Sequence, residues 1–472
     1  MASTAPPLPP SDKEAALYPH DETKVGSDVT HPAEEPLTGF NAFYRSTLFQ
    51  ILVVGLCAFA TPGIWVAMMG LGVGGSASPQ LMNSVTAIAY ALMTLTCFLG
   101  PWITNIIGFR YTLALGTVGY PLFAAALYAN NRYGNVWFVY LGGVLCGTSA
   151  GFFWSVEGAI STGYPEAHKR GRYLATWFTF RNAGSIVGGS IALAINHKAN
   201  HAGAVSYQTY QAFIAIQCLG VPIGLLLSNP EKVRRDDGTR IEAPRGIPPL
   251  VQAKEMWRLL KSPPILLLAP LFWYFGWIQA YPGTYLAVYF TVRSRALASL
   301  LFAVVMSIST WAGGSIVDLH WSKSRKTRAL AAFGFVAVLN SITWIWSVII
   351  QDEFRKTSPV LDWADPGFGR GFGAYMFQCI AQGIVENFIY WSISNLSDSP
   401  GDQIRYSSLL RGIETAAVAV GFGVQAVPTQ LIITAGINLA WWFIALPFAY
   451  FATITVVKKF EADEKRKEEV EA

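Results

Sequence analysis

The sequence predicts an all-α polytopic membrane protein of twelve transmembrane helices in two six-helix halves. Three observations carry the prediction. Apolar residues make up 52% of the 472 and charged residues 13%, about half the roughly 25% of a soluble domain, so this composition cannot build a water-facing coat. Apolar runs of about 20 residues, the length that crosses a bilayer core, occur twelve times. One long charged loop divides them six and six.

The elements follow in chain order. Residues 1–40 are polar, with clustered Pro, Asp, Glu and Ser, and are expected to form a disordered cytoplasmic tail. No basic segment followed by a short apolar stretch opens the chain, so no cleaved signal peptide is expected and span 1 itself acts as the signal. The N-terminal half, 41–228, holds spans at 46–69, 83–107, 111–129, 136–161, 173–196 and 208–228. The loop 229–262 is charged and broken by Pro244, Pro248 and Pro249, with Pro263 just beyond. The C-terminal half, 263–457, holds spans at 263–290, 296–318, 328–350, 372–395, 407–433 and 435–457. Residues 458–472 mix Lys458, Lys459, Lys465, Arg466 and Lys467 with acids. They read as a solvated, charged cytoplasmic helix end near anionic lipid, a partner-binding tail being the other reading.

Lys and Arg placement sets the orientation. With both termini in the cytoplasm, 25 of the 34 lie inside and seven outside: Arg132, Lys198, Arg293, Arg295, Arg355, Lys356 and Arg370. Arg181 and Arg411 lie within spans. The sequon at Asn395 and Ser397 then falls at a cytoplasmic helix end, where no glycan is expected. The plasma membrane is the default location, a vacuolar or other endomembrane the alternative.

The halves match each other locally. Pro62-Gly63-Ile64-Trp65 in span 1 resembles Pro282-Gly283-Thr284-Tyr285 in span 7, and Arg172-Tyr173 before span 5 resembles Arg405-Tyr406 before span 11. After span 2, Asn105, Gly108 and Arg110 resemble Gly314 and Asp318 after span 8, two imperfect copies of a loop signature with an acid, a glycine and an arginine. Shifts in register between these blocks point to loop insertions, 351–370 foremost. Twelve spans, a long central loop and two parallel halves resemble the major facilitator superfamily. The block Trp154-x-x-Glu157-Gly158-Ala159, Tyr164-Pro165-Glu166, Lys169-Arg170-Gly171-Arg172-Tyr173 and Asn182 is similar to the fungal branch of the uncoordinated-93-like (ion channel regulatory protein-like) family within it. The resemblance covers about 41–460. It implies the major facilitator fold and either transport, as fungal members are described, or regulation and trafficking of a channel or receptor, as animal members are.

Ionisable groups inside spans are costly and point to function. Five stand out: Glu157, Arg181, Glu386, Arg411 and Glu414. Glu157 to Arg181 is 24 residues and Glu386 to Arg411 is 25, so each half has a Glu on its fourth span and an Arg on its fifth. The pairs Glu157–Arg181 and Glu386–Arg411 are expected, either as a transport device or as structural links. Glu414, three residues beyond Arg411, shares a helix face with it. Two acids sharing one Arg do not both ionise easily, which is the chemistry of a proton-coupled carrier; Glu414 or Glu386 is the expected protonatable group, a static Glu-Arg-Glu cluster the alternative.

Prolines in matching spans of two halves are the strongest sequence pointer to a transport site. Pro62-Gly63 and Pro282-Gly283 are expected to kink their spans. Trp65, Trp273, Tyr274, Trp277, Gln279, Tyr281 and Tyr285 surround them, as walls for an organic ligand or as packing and interfacial aromatics. Asn387, with Gln217, Gln382 and Asn438, is a further candidate cavity wall. Gly143, Gly147, Gly151, Gly184 and Gly188 are spaced for close helix packing. Gly147-Thr148-Ser149-Ala150-Gly151 matches a hydrolase elbow, but all six His lie in tails, loops or span ends. The five Cys have no CxxC spacing and read as core residues. Neither a P-loop lysine, a zinc-protease helix nor a calcium loop is present, so no metal, cofactor, nucleic-acid partner or enzymatic role is expected. Two functions remain: a proton-coupled carrier of a small organic solute, efflux being one direction, or a non-transporting partner of another membrane protein.

Overall fold

A computed structural model describes residues 39–471 apart from 77, 167–168, 236–238, 240, 242–253, 255–256, 319–323 and 397–399. The tail 1–38 and most of the central loop lie outside the described residues. Among those described, helices occupy every expected span: Thr47–Gly70, Pro79–Ile107, Phe109–Tyr133, Val136–Gly163, Arg170–Asn196, Tyr207–Gln217 with Gly220–Gly224, Pro263–Trp277 with Ala280–Tyr289, Val292–Asp318, Arg325–Thr357, Phe368–Leu396, Pro400–Ala426 and Leu431–Glu471. Eight of these are long and apolar enough to cross a membrane by composition alone. Spans 5, 6, 10 and 11 are not. Span 6 is divided, and the other three carry Arg181, Glu386, Arg411 and Glu414. A membrane helix that carries such groups turns them inward, so the least apolar spans mark the functional interior.

Glycines set the helix spacing. A Cβ added at Gly143 would meet Val85 Cγ1 at 2.4 Å, at Gly147 the Ala89 carbonyl oxygen at 2.1 Å, and at Gly151 Thr96 Oγ1 at 1.9 Å. Spans 2 and 4 therefore pack backbone to backbone; the glycine spacing predicts the close packing, and the structure supplies span 2 as the partner. Ser149, within the hydrolase-like string, donates to the Leu115 carbonyl at 2.8 Å and accepts from the Gly119 amide at 3.0 Å; it ties span 4 to span 3. Cys57, Cys146 and Cys379 are buried, Cys97 is half-buried, and all five Cys are free.

The expected kinks take different forms. In span 1, Pro62 lies in a π-helix, Phe59–Gly63. A wider turn of this kind absorbs the hydrogen bond that proline cannot donate. In span 7 the helix stops at Trp277 and restarts at Ala280. Pro282 then sits in the first turn of the new segment, where a missing N–H is tolerated.

The halves are tied at the end of the bundle remote from the central loop. Ser299 Oγ donates to the Ala67 carbonyl at 2.6 Å, and Asn83 Nδ2 donates to Thr284 Oγ1 at 3.0 Å and to the Gln425 carbonyl at 3.1 Å. The Val292 and Arg293 amides donate to the His201 and Ala199 carbonyls. Further along, Thr94 Oγ1 donates to Thr415 Oγ1 at 2.9 Å. Between described residues, Thr94–Thr415 is the span-to-span hydrogen bond across the halves that lies nearest the central loop.

A charged cleft between the halves

The C-terminal half supplies the tighter cluster. Arg411 Nη1 donates to Glu414 Oε2 at 2.8 Å, one turn along span 11. Glu414 Oε1 accepts from Gln279 Nε2 at 3.1 Å, across the break in span 7. The broken segment thus delivers an amide to the acid. The Arg411 guanidinium also lies over the Tyr390 ring at 5.8 Å. Glu414 is 9% exposed but Arg411 is 39% exposed.

The N-terminal half is arranged differently. Glu157 is buried, and Ser161 Oγ lies 2.9 Å from its Oε1. Arg181 lies over Trp177 and Phe178, at 5.5 and 5.4 Å from their ring centres, and Trp177 packs edge-on against Trp154 of span 4. Neither expected pair is formed at ion-pair distance. Arg411 is taken by Glu414, a neighbour on its own helix, and Glu157 is satisfied one turn along its own. Arg181 has no carboxylate within 4.0 Å, and Glu386 has neither a hydrogen bond nor an ion pair. Both are half-buried. Within the C-terminal half, Arg411 lies over Tyr390, one turn beyond Glu386 on span 10.

The other candidates separate into two groups. Trp65 meets Tyr90 edge-on at 6.1 Å, and Tyr90 stacks on Phe422 of the other half at 6.1 Å. Together with Gln279 they border the seam. Tyr281, Tyr285 and Tyr274 are instead sealed inside the C-terminal half. Tyr281 donates to Gln351 Oε1 at 2.7 Å, Tyr285 to the Gly371 carbonyl at 3.0 Å and Tyr274 to Asn340 Oδ1 at 2.9 Å. Trp277 is buried against Trp441. As cavity walls these four are corrected: large amphipathic rings beside a helix break found partners in spans 9, 10 and 12. Asn387 Nδ2 donates to the Thr310 carbonyl at 3.1 Å and locks span 10 to span 8. Gly63 lies 3.1 Å, by its virtual Cβ, from Gly184 Cα, and Gly283 lies at 3.3 Å from the Val73 amide of the other half; both are places of close approach.

In the first signature loop Gly108 has φ +84° and joins spans 2 and 3 in a single residue. Asn105 is exposed, and the Arg110 Nε is buried without a hydrogen-bond partner. The side chains of Gly314 and Asp318 lie outside the described residues.

One residue that joins the halves gave little signal in the sequence. Arg295, assigned to an outer loop, is fully buried. Its guanidinium donates to the Leu71 carbonyl at 2.7 Å, Gly203 at 2.6 Å, Gly72 at 2.9 Å and Ser76 at 3.3 Å. The strap 72–75 turns these carbonyls inward through left-handed residues: Gly72 at φ +74°, Gly74 at +63°, Gly75 at +78° and Val73 at +44°. A β-branched residue in that region is strained, and the arginine holds it there. The only sequence signal was a cation at the very edge of an apolar run, without an acid beside it.

Twelve spans in two halves, hydrogen-bonded to each other at the end remote from the central loop, define a multi-pass membrane protein of the major facilitator fold. Solved structures agree. A POT family transporter in complex with 5-aminolevulinic acid has a TM-score of 0.64 at 13% identity, covering 85% of this chain and 96% of that one. A bacterial homolog to human lysosomal transporter, Spinster, in inward-facing and occupied conformation, has a TM-score of 0.56 at 12% identity over 87% and 97%. Residues 84–361 match the family described as ion channel regulatory protein UNC-93, and the chain belongs to that family. It is 37% identical to notoamide biosynthesis cluster protein O' of Aspergillus versicolor, over 89% of both chains. It is 28% identical to UNC93-like protein 1 of Arabidopsis thaliana, over 94% of this chain and 98% of the relative.

Proposed function

We propose that the chain is a secondary transporter that moves a small organic solute, outward in the favoured reading, by proton-coupled alternating access. The observation that supports this reading is the set of five ionisable groups inside spans, Glu157, Arg181, Glu386, Arg411 and Glu414, in a fold whose halves are hydrogen-bonded to each other at the end remote from the central loop. With both termini and the central loop in the cytoplasm, as the Lys and Arg distribution favours, the closed end is the outer one. Arg295 is then the outer latch, because outward opening must strip its four carbonyl bonds. The proton carrier is Glu414. Deprotonated, it holds Arg411. A proton arriving at Oε2 cancels the carboxylate charge, releases the guanidinium into the cleft and lowers the cost of moving the halves. Hydrogen bonds in such pairs are each worth roughly 1.5–3 kcal/mol, enough to bias a two-state equilibrium by tenfold or more.

The test compares metabolites in cells and medium for a strain lacking the protein, one with wild type, and one with Glu414→Gln at matched abundance. A compound that moves with wild type alone supports proton-coupled carriage. One that moves equally with Glu414→Gln removes Glu414 as the carrier. The family description, ion channel regulatory protein, favours a second reading: a non-transporting partner of another membrane protein. In that case no compound moves in any strain, and a channel or receptor co-purifies with wild type and Glu414→Gln alike.

A further inference from the structure

Arg110 opens span 3 just after Gly108, the single residue that joins it to span 2. It is half-buried, makes no ion pair and no hydrogen bond among the described residues, and its Nε is buried without an acceptor. A desolvated guanidinium N–H without an acceptor is costly. The ground beside it is apolar. Ile107, Tyr111, Ala114, Leu115, Val118 and Val221 line a groove of about 570 Å³ whose walls carry no polar atom. The break in span 6 makes this groove. The span halts at Gln217 and resumes as the short segment Gly220–Gly224. Two glycines press that segment onto span 3: a Cβ at Gly220 would meet Thr117 Cβ at 2.9 Å, and one at Gly224 would meet Ala114 Cα at 3.2 Å. Val221 lies between these contacts and supplies the span 6 wall. Residues 111, 114, 115 and 118 form one face of span 3, about 10 Å long at the helical rise. Span 3 packs on spans 1, 2, 4 and 6 of its own half, while Tyr111 and Leu115 are 57% and 48% exposed. The groove therefore opens outward, to the hydrocarbon of the bilayer. Arg110 lies one turn before Ala114, at the end of the groove nearest the central loop.

We propose that this groove holds one acyl chain of an anionic phospholipid whose phosphate sits on the Arg110 guanidinium. A free phosphate would answer the cation and leave the groove unused. A sterol or a neutral lipid would fill the groove and leave the guanidinium without an anion. A phospholipid with a net negative head answers both. The planar guanidinium suits a phosphate because it donates two parallel hydrogen bonds. Tyr111, an amphipathic ring at the same end, suits the headgroup level. Lipid tails are as apolar as the groove walls, so the chain gains only packing there. The charged contact supplies the preference for one headgroup over another. A lipid seated in the groove would brace the broken segment of span 6 against span 3, so binding stabilises the N-terminal half. This inference goes beyond the transport reading and does not depend on it.

The test uses the purified full chain in detergent, with bound lipids counted by native mass spectrometry. Three probes separate head from chain: phosphatidylglycerol, phosphatidylcholine with the same two chains, and glycerol 3-phosphate, which has no chains. Wild type is expected to hold one phosphatidylglycerol about fivefold tighter than phosphatidylcholine, the contribution of one basic side chain near an anionic headgroup, and to hold glycerol 3-phosphate far more weakly than either. Arg110→Gln should abolish the preference between the two lipids, and Arg110→Lys, which keeps the charge, should retain it. Val118→Phe, which fills the groove, should weaken phosphatidylglycerol severalfold with Arg110 intact. Should a variant fail to fold, Arg110→Met keeps the apolar stem and Val221→Phe fills the groove from its other wall. Phosphatidylglycerol should also raise the unfolding temperature of wild type more than phosphatidylcholine does, and Arg110→Gln should erase that difference. The proposal is overturned if wild type holds both lipids equally, if glycerol 3-phosphate binds as tightly as phosphatidylglycerol, or if neither the charge variant nor the groove variant changes binding, as for lipid that merely surrounds the bundle. A sterol, or a second copy of the chain, that is lost with Val118→Phe and indifferent to Arg110→Gln would overturn it as well.

Discussion

The fifth span of each half carries an arginine at the same depth, and three residues on the halves diverge: Arg181 is followed by Gly184, Arg411 by Glu414. The difference follows from which helix gives up its side chain at the crossing with the first span of the half. In the N-terminal half span 5 does so. A Cβ at Gly184 would meet the Phe59 carbonyl oxygen of span 1 at 2.3 Å. In the C-terminal half span 7 does so, through Gly276, whose Cβ would meet the Glu414 carbonyl oxygen at 2.3 Å. The crossing is equally tight in both, but the glycine has changed sides. That exchange frees position 414 to carry an acid. Counting three residues back from Pro62 and from Pro282, Phe59 corresponds to Gln279, the residue that donates to Glu414. One half therefore holds its arginine in an ion pair and the other leaves it stacked on aromatic rings. Repeated architecture has produced one committed charge and one available charge.

The largest expected effect comes from breaking the crossings. Gly184→Ala and Gly276→Ala should each destabilise the chain by about 1–3 kcal/mol, read as lowered unfolding temperatures in detergent; if either is neutral, the exchange of glycines is not what sets the crossing. Next, Glu414→Gln should reduce proton-driven flux by about tenfold or more, the loss of a charge-assisted hydrogen bond. Glu157→Gln should cost less, because its partner is a neutral serine; equal losses would mean the halves do not differ as the geometry implies. A smaller effect concerns the closed end. Arg295→Gln removes most of the carbonyl bonds that close it. A cysteine placed at Thr284, buried against Asn83 in the latched state, should then react faster with a polar thiol reagent, by severalfold, than in the same variant with Arg295 intact. An unchanged rate would remove Arg295 as a latch.

The smallest effect lies in a connector that differs between the halves. Spans 3 and 4 are joined by Gly134 and Asn135, spans 9 and 10 by residues 358–367, within the stretch where the sequence suggests an insertion. There Arg293 holds Asp362 through two donors, and the guanidinium keeps this carboxyl well below the usual carboxylate range, aided by the Ala364 amide and Thr291. A depressed acid stabilises the fold above its unfolded pKa, about 4, and the contribution is lost as pH falls toward its folded value. Wild type should therefore lose about 1 kcal/mol more than Asp362→Asn between pH 6 and pH 3, seen as steeper acid dependence of the unfolding temperature. Parallel curves would remove the pair as a stabilising element.

Much of the fold was legible because a bilayer constrains a chain so strongly. Length, apolar runs and the charged central loop determined twelve spans in two halves, and glycine spacing determined that span 4 packs closely on a neighbour, though not that the neighbour is span 2. The in-span charges could be named from sequence alone, since no other environment explains Glu157, Arg181, Glu386, Arg411 and Glu414. Their partners could not be named. Equal spacing suggested one Glu–Arg pair per half, but spacing along a chain fixes only depth. Rotation of each helix about its axis, set by which crossing residue is glycine, decided that Arg411 meets Glu414 and that Arg181 meets none. The same limit applies to Tyr281 and Tyr285, whose rings turned into the half rather than the cleft, and to Arg295. A cation at a span edge looks like an ordinary loop charge until the strap 72–75 is seen folded around it. Composition and periodicity determined what this protein lives in and which residues are costly there. Only tertiary packing decided which of those charges are spent on each other and which are not, because the rotation of each helix about its axis is set by its neighbours.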